Sequence, residues 1–252
     1  MIRQRQVEPE WLDTLAADDP RAARSRDDLR RINRLMGTQT LLTRSLETLL
    51  EGSGIDGSGQ ARLVELGAGD GTLALRLARR LSRRWPKATL RLLDLQPTVS
   101  DATLVGFRAL GWQVEVIRAD VFDWLAQPRA FAGHADESKA KPIIFANLFI
   151  HHFEGPRLKT LLTGIADRAQ GFSCLEPRRS LAALLGSRLL GAIGCNDVTR
   201  HDAVTSVRAG FRARELSGGW PRSNRWDVQE GAAGLFSHRF QASRIQAPDN
   251  QP

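Results

Sequence analysis

Short apolar runs alternate with amphipathic segments through the middle of this chain. Each run has the length and composition of a buried strand, and each following segment repeats apolar residues at three- and four-residue steps, as a helix does. The runs cover residues 61–66, 89–94, 113–118, 142–148 and 171–176. Because strands that alternate with helices pair side by side in parallel, the pattern predicts a doubly wound α/β sheet.

The two ends of the chain depart from this alternation. Residues 27–50 have helical spacing, with a break expected at Gly37, and they predict N-terminal helices. Strands predicted at 212–217 and 235–243 have no helix between them, which is typical of an antiparallel hairpin. Residues 1–24 are polar and are expected to be loosely held. The fold predicted is a mostly parallel, seven-stranded sheet with a C-terminal hairpin.

Composition divides the chain into three parts. Residues 1–60 are predicted to form an N-terminal helical cap and a linker, since residues 51–60 are rich in Gly and Ser. Residues 61–245 are predicted to form one α/β domain, in which the polar residues 129–141 form a surface loop. Residues 246–252 are expected to be a disordered tail.

The most specific motif follows the first predicted strand. Glu65 lies inside the apolar run, and Gly67, Gly69 and Gly71 follow it in a turn that leads directly into a helix. A Gly-rich turn between a strand and a helix presents backbone N–H groups to a nucleotide-like ligand. Asp94 ends the next strand, where a ribose-binding acid is expected. Together these features predict a cofactor-binding enzyme.

Further residues in the same order make the chain resemble the class I S-adenosylmethionine-dependent methyltransferases that act on small molecules. Asp120 follows the third strand, residues 147–153 (NLFIHHF) end the fourth, and Gly210 precedes the terminal strands. The resemblance spans residues 61–245 and implies a Rossmann-like fold with S-adenosylmethionine as cofactor. The cofactor-binding residues that it implies are Glu65, Gly67, Ala68, Gly69, Asp94, Leu95, Asp120, Val121 and Asn147.

Two of these acids have alternative roles that the sequence leaves open. Glu65 also suits a charge partner for the N-terminus of the following helix, although an acid inside an apolar strand is costly unless it is used. Asp120 also suits the N-cap of the helix that begins at Val121, and both of its roles are compatible. A nicotinamide-binding dehydrogenase is disfavoured, because Thr72 occupies the third position of the Gly-x-Gly-x-x-Gly motif.

Methyl transfer to an oxygen needs an aligned nucleophile and a group that takes its proton. A neutral His suits that role near pH 7. His151 is the preferred catalytic residue, because it follows the fourth strand at the active end of the sheet, and His201 is the second candidate. His152, Asn33 and Arg178 are expected to contact the acceptor. Two alternatives to these site roles stay open. The two histidines equally suit the start of a helix, and Arg178 equally suits a charge on the surface.

No membrane-spanning or metal-binding segment is predicted. The apolar residues 181–193 are too few to span a bilayer and are more typical of core than of a lipophilic pocket. The five His and the two Cys, Cys174 and Cys195, show no metal-ligand spacing, so no metal is expected. The first residues lack the apolar stretch of an export signal. A cytoplasmic protein is the expectation, and the oligomeric state is left open.

The chain is basic, with a net charge of +8 and a pI of about 10.7, which raises the question of nucleic-acid partners. Much of this charge, as at Arg76, Arg79 and Arg83, lies beside an apolar helical stripe and is typical of a solvated surface. The function predicted is methyl transfer to an oxygen, or an activated carbon, of a small aromatic or polyketide-like acceptor in secondary metabolism. Nucleic-acid methylation and a non-catalytic cofactor-binding protein are the alternatives.

Overall fold

The computed structural model describes residues 4–54, 60–127, 141–221 and 224–245. The predicted tail, most of the predicted surface loop and part of the Gly/Ser-rich connector lie outside these residues. No helix within those four ranges is both long enough and apolar enough to cross a bilayer.

The described chain forms seven strands, which are β1 (Ala61–Leu66), β2 (Ala88–Asp94), β3 (Trp112–Arg118), β4 (Ile143–Asn147), β5 (Gly171–Pro177), β6 (Trp226–Ala233) and β7 (Ser237–Arg244). They form one sheet in the order β3-β2-β1-β4-β5-β7-β6. β1 to β5 are parallel, and β7 pairs antiparallel with β5 and β6. The predicted mostly parallel sheet with a C-terminal hairpin is confirmed. The strand order reverses between β1 and β4, where a crevice forms at the carboxyl ends.

The helices flank this sheet. They are α1 (Trp11–Thr14), α2 (Pro20–Leu35), α3 (Thr38–Gly52), α4 (Thr72–Leu81), α5 (Asp101–Ala109), α6 (Val121–Ala126), α7 (Gly155–Arg168), α8 (Leu181–Arg188), α9 (Asp197–Ala209) and α10 (Glu215–Gly219). Two 3₁₀ segments, Ile150–His152 and Leu189–Ile193, follow β4 and α8. Gly37 has a φ of 68° between α2 and α3, in the region that favours glycine, and the predicted break there is confirmed.

Helices cover both faces of the sheet because successive side chains of a strand point to opposite faces. Leu63 of β1 belongs to a buried cluster with Leu46 of α3 and Leu77 of α4. Its neighbour Val64 belongs to a second buried cluster with Leu161 of α7. The sheet is therefore the middle of three layers, and packing on both faces holds the carboxyl ends of its strands in place.

The N-terminal segment is docked on the body of the protein, so the expectation that residues 1–24 are loosely held is wrong where the chain is described. The Arg5 guanidinium donates hydrogen bonds to the backbone carbonyls of Ala209 and His151. The Asp202 carboxylate accepts from two backbone N–H groups of α1. These partners are distant in sequence. The polarity of residues 1–24 therefore could not show that the segment has them.

The strand predicted over residues 212–217 is wrong. Part of that stretch forms α10, and the sixth strand begins only at Trp226. Glu215 accepts hydrogen bonds from the Arg179 guanidinium and from the Arg212 backbone N–H, which holds the chain in a turn. An alternation of apolar and polar residues over six positions does not distinguish such a turn from a strand.

The prediction that residues 181–193 are mainly core is also wrong. Leu181, Leu185 and Leu189 are exposed, while the smaller Ala183 is buried. The segment is helical as its spacing indicates, but most of its large apolar side chains are exposed, while Leu184 and Leu190 are half-buried.

Candidate functional site

The turn between β1 and α4 depends on glycine and is held by an acid. Gly67 has a φ of 70°, and a Cβ built on it would lie 2.5 Å from the Phe149 ring. The Gly69 N–H donates to Asp94 Oδ2 at 2.8 Å, and the Gln96 N–H donates to the other carboxylate oxygen at 2.7 Å. The carboxylate at the end of β2 therefore holds the glycine turn of β1 at the same end of the sheet.

A cavity of about 470 Å³, named here the loop cavity, opens over this turn beside the ends of β1, β2 and β4. All the predicted cofactor-binding residues line it, namely Glu65, Gly67, Ala68, Gly69, Asp94, Leu95, Asp120, Val121 and Asn147. Asn33 of α2 lines it from above, with its Oδ1 3.5 Å from Asn147 Nδ2. The predicted residues are therefore brought together in one place.

Glu65 presents a buried carboxyl group to the loop cavity. Its Oε2 atom has no hydrogen-bond partner among the described residues. Burial raises the pKa of Glu65 well above its usual value, and the charges of Asp70 and Asp94 raise it further. Asp70, rather than Glu65, accepts the Thr72 N–H at the start of α4. An unpartnered buried carboxyl at a cavity wall suits a cationic group in that cavity.

Asp120 and α2 define two further sides of the loop cavity. Asp120 accepts the Phe122 N–H at 2.7 Å, so the capping role that the sequence left open is present. It also lines the cavity beside Val121, where its contact with a cofactor stays a prediction. On another side, Arg30 of α2 pairs with Asp70 of the glycine turn at 2.6 Å. That ion pair joins the N-terminal helices to the turn.

His151 lies between two carboxylates, and both of its ring nitrogens are engaged. Nδ1 is 2.8 Å from Glu176 Oε2, and Nε2 is 3.2 Å from Glu10 Oε1. Burial alone would lower the pKa of His151, but the hydrogen bonds and charges of the two carboxylates outweigh it and raise the pKa to about 9. The ring is therefore charged at neutral pH. A general base must be neutral, so this charged state does not support the catalytic role expected of His151.

His152, which was expected only to contact the acceptor, lines the loop cavity with a neutral ring. Burial and the adjacent charged His151 lower the pKa of His152 to about 4. Its Nδ1 lies 3.6 Å from Asp13 Oδ2. Burial, with the nearby charges of other acids, raises the pKa of Asp13 to about 6. At pH 7 a neutral imidazole therefore lies beside an ionised carboxylate.

A second cavity of about 300 Å³, named here the apolar cavity, adjoins the loop cavity. Its wall includes Ile32 of α2 and Leu190 from the 3₁₀ segment after α8. The residues that line both cavities are Leu12, Asp13, Leu29, Leu148 and His152. Leu148 has a φ of 53°, a strained backbone conformation of the kind that clusters at functional sites. Ligands in the two cavities would meet at His152 and Asp13.

Two predicted site residues do not line either cavity. His201 stacks on Trp11 with ring centroids 3.9 Å apart, and its Nδ1 is 2.9 Å from the Asp202 carboxylate. Arg178 donates to the Gly234 carbonyl in the turn between β6 and β7. These contacts are structural, so the catalytic role expected of His201 and the acceptor contact expected of Arg178 are not supported.

Glu10, Asp13 and Glu176 complete the site, and sequence reasoning missed all three as site residues. Glu176 is buried at the end of β5 and accepts the backbone N–H groups of residues 149–151, which holds the 3₁₀ segment against the sheet. Glu10 and Asp13 flank an apolar Trp-Leu pair in the otherwise polar N-terminal segment. An apolar pair in a polar segment was the signal in the sequence that could have indicated that this segment packs against the rest of the protein.

The structure also assembles side chains of the metal-ligating type, which the sequence spacing did not reveal. Glu10, His151 and His152 each offer one ligand atom, and these atoms lie within 4.8 Å of one another. A metal on His151 would have to displace the proton that Glu10 and Glu176 hold on its ring, so the expected absence of a metal stays a prediction.

Comparison with solved structures finds proteins that share this fold at low sequence identity. No protein-family model matches the chain, and no curated protein matches it. The structure of the plantazolicin methyltransferase BpumL in complex with SAH has a TM-score of 0.59 at 12% identity, over 90% of this chain and 92% of that one. Its complex with a triazolic desmethylPZN analog and SAH has a TM-score of 0.61 at 13% identity, over the same shares. The chain therefore has a Rossmann-like methyltransferase fold.

Proposed function

We propose that the protein is an S-adenosylmethionine-dependent methyltransferase that acts on a small, largely apolar, natural-product-like acceptor. One observation carries the proposal: the loop cavity gathers the residues that the family resemblance assigns to the cofactor, and it meets the apolar cavity at His152. Two adjoining cavities suit a reaction between a bound donor and a bound acceptor. The likeness in fold to plantazolicin methyltransferase, solved with SAH and desmethylPZN analogs, agrees with this reading.

The loop cavity fits the cofactor in charge and in shape. The Asp94 carboxylate lines it and can accept charge-assisted hydrogen bonds from ribose hydroxyls. A Cβ added to Gly69 would meet no protein atom within 4 Å, so the absent side chain leaves room for a ligand against the backbone. The unpartnered Glu65 carboxyl suits a positively charged sulfonium or amino group. When bound, the cofactor supplies a methyl group on sulfur that leaves behind a neutral thioether.

His152 and Asp13 are the groups assigned to the acceptor's proton. The neutral His152 ring can accept a hydrogen bond from a hydroxyl at the boundary of the two cavities, and the Asp13 carboxylate beside its Nδ1, with a pKa of about 6, can take the proton. The methylated atom in this proposal is an oxygen, or an activated carbon, of an aromatic or polyketide-like molecule. The charged His151 instead positions the 3₁₀ segment that carries His152.

Isothermal titration with S-adenosylmethionine and S-adenosylhomocysteine tests the cofactor site. Both should bind, and Asp94→Ala should weaken binding by about 1–3 kcal/mol, because hydrogen bonds to a charged group are lost. Asp101→Ala is the matched control, since Asp101 lies in the exposed first turn of α5 and does not line the loop cavity. Absence of binding, or an unchanged affinity in Asp94→Ala, would contradict the assignment.

Transfer of a labelled methyl group to a panel of small apolar phenols tests the acceptor site. Ala203 lines the apolar cavity, so Ala203→Phe should fill that space and abolish transfer while cofactor affinity is retained. Ala102→Phe, at an exposed position of α5, is the control and should leave transfer unchanged. Transfer that survives Ala203→Phe, or that occurs only on nucleic acid, would contradict this part of the proposal.

A further inference from the structure

The helical segment after β5 exposes most of its large apolar side chains instead of burying them. Leu181, Leu185 and Leu189 recur at four-residue steps and are 56%, 59% and 66% exposed. The side chains on the inward side are small, with Ala183 and Ser187 both buried. An ordinary surface helix has the opposite arrangement, so this outward stripe indicates an interaction surface.

Neighbouring elements extend the stripe into a surface named here the leucine face, which consists of Leu35, Leu181, Leu185, Leu189, Ile193 and Phe236. Leu35 ends α2 and is 75% exposed. Phe236 lies against α8, since a Cβ added to Gly186 would be 2.8 Å from its ring. Leu35 and Phe236 also line the apolar cavity. The leucine face and the apolar cavity therefore share these two side chains.

Arginine side chains surround the leucine face. Arg24 donates to a carbonyl just after the 3₁₀ segment that follows α8, and Arg200 lies over the same segment. Arg178 donates to a carbonyl in the turn that carries Phe236, at the opposite end. Arg188 is exposed on α8 itself. Residues 178–196 contain no Asp or Glu, and one exposed acid, Asp197, follows them, so the helical part of the leucine face is bordered mainly by positive charge.

We propose that the leucine face docks on an anionic lipid bilayer, with its apolar side chains at the acyl boundary and its arginines among the phosphates. An apolar centre with a basic rim is the pattern of helices that lie on membrane surfaces. A bilayer offers acyl chains to the apolar side chains and phosphates to the arginines, and apolar solutes dissolved in it would lie beside two side chains of the apolar cavity. A second copy is disfavoured, because the rims of two chains of charge +8 would repel each other.

Co-sedimentation of the full chain with phospholipid vesicles tests this docking. The protein should bind vesicles of phosphatidylcholine and phosphatidylglycerol about tenfold more tightly than phosphatidylcholine alone, and high salt should release it. Leu185→Asn/Leu189→Asn should weaken binding by about tenfold or more, because two apolar groups leave the bilayer. Val105→Asn, at a position of α5 that is 57% exposed, is the control and should bind like the wild type.

Three results would overturn the proposal. The first is wild-type protein that stays in the supernatant with anionic vesicles, and the second is a double variant that binds as well as the wild type. The third is a wild-type protein that sediments as a dimer and does not bind vesicles, together with a double variant that sediments as a monomer. That result would assign the leucine face to a second copy of the chain. Thermal unfolding checks that each variant is folded. Cofactor titration reports separately on the proposed methyl transfer, on which docking does not depend.

Discussion

Raising the pH above neutrality should destabilise the protein through His151. Its buried ring keeps a proton between Glu10 and Glu176 with a pKa of about 9, against 6.5 for an ordinary His. Below pH 6.5 the ring is protonated in the folded and the unfolded chain, and its stabilising contribution is fully present. Between pH 6.5 and about 9 only the folded protein holds the proton, so the free energy of unfolding falls as the pH rises.

The size of the loss follows from the two pKa values. A rise from 6.5 to about 9 corresponds to about 3 kcal/mol, at about 1.4 kcal/mol for each pH unit. Such a loss is a large part of the roughly 5–15 kcal/mol that stabilises a typical domain. The sequence contains no Tyr, so ionisation of phenols does not overlap with this range.

Urea unfolding followed by Trp fluorescence at a series of pH values measures this effect. Glu10→Gln removes the carboxylate at Nε2, so the pKa of His151 should move towards its ordinary value and the dependence on pH should flatten. Glu8→Gln, at an exposed position nearby, should keep the slope of the wild type. Stability that is constant or rises between pH 6.5 and 9 would refute the charged state of His151, as would an unchanged slope in Glu10→Gln.

Three further predictions test the loop cavity. Gly67→Ala should lower the free energy of unfolding by about 2–4 kcal/mol, because the position combines a positive φ with a clash. Gly69→Ala should lower it by only about 1 kcal/mol, because the space around its Cβ is open. Equal losses in urea unfolding would contradict the packing argument. Glu65→Gln should leave the free energy of unfolding unchanged or raised in urea unfolding, and it should weaken cofactor binding about tenfold in titration. A destabilised variant would show instead that the carboxylate is paired. His152→Gln should reduce methyl transfer about 100-fold or more, with His201→Gln as a control of wild-type activity; equal turnover in the two variants would remove His152 from the mechanism.

The strands and the glycine turn were predictable because their signals are local. A strand-length apolar run, a turn with Gly67 and Gly69, and an acid at Asp94 can each be recognised over a few residues. Because parallel strands end at one edge of the sheet, these features had to meet there. The predicted cofactor residues could therefore be assigned to one site before any coordinates were known.

Other features could not be predicted, because distant partners decide them. Arg5 and Glu10 lie in a polar segment, yet they bond to groups more than a hundred positions away. Residues 212–217 alternate like a strand, but the ion pair of Glu215 with Arg179 holds a turn. The sequence of residues 181–193 did not show which side of the helix faces outward. Periodicity defines an apolar stripe, but it does not show whether that stripe packs against the protein or against another surface.

By itself, the sequence determined the α/β architecture, the glycine turn and the carboxylate opposite it, because chain direction and side-chain periodicity suffice to place them. Only the tertiary structure decided which histidine is charged and which is neutral. His151 and His152 are adjacent in sequence, yet His151 lies between two carboxylates and His152 lines both cavities. Protonation depends on burial and on the distance to such charges, and folding alone sets both.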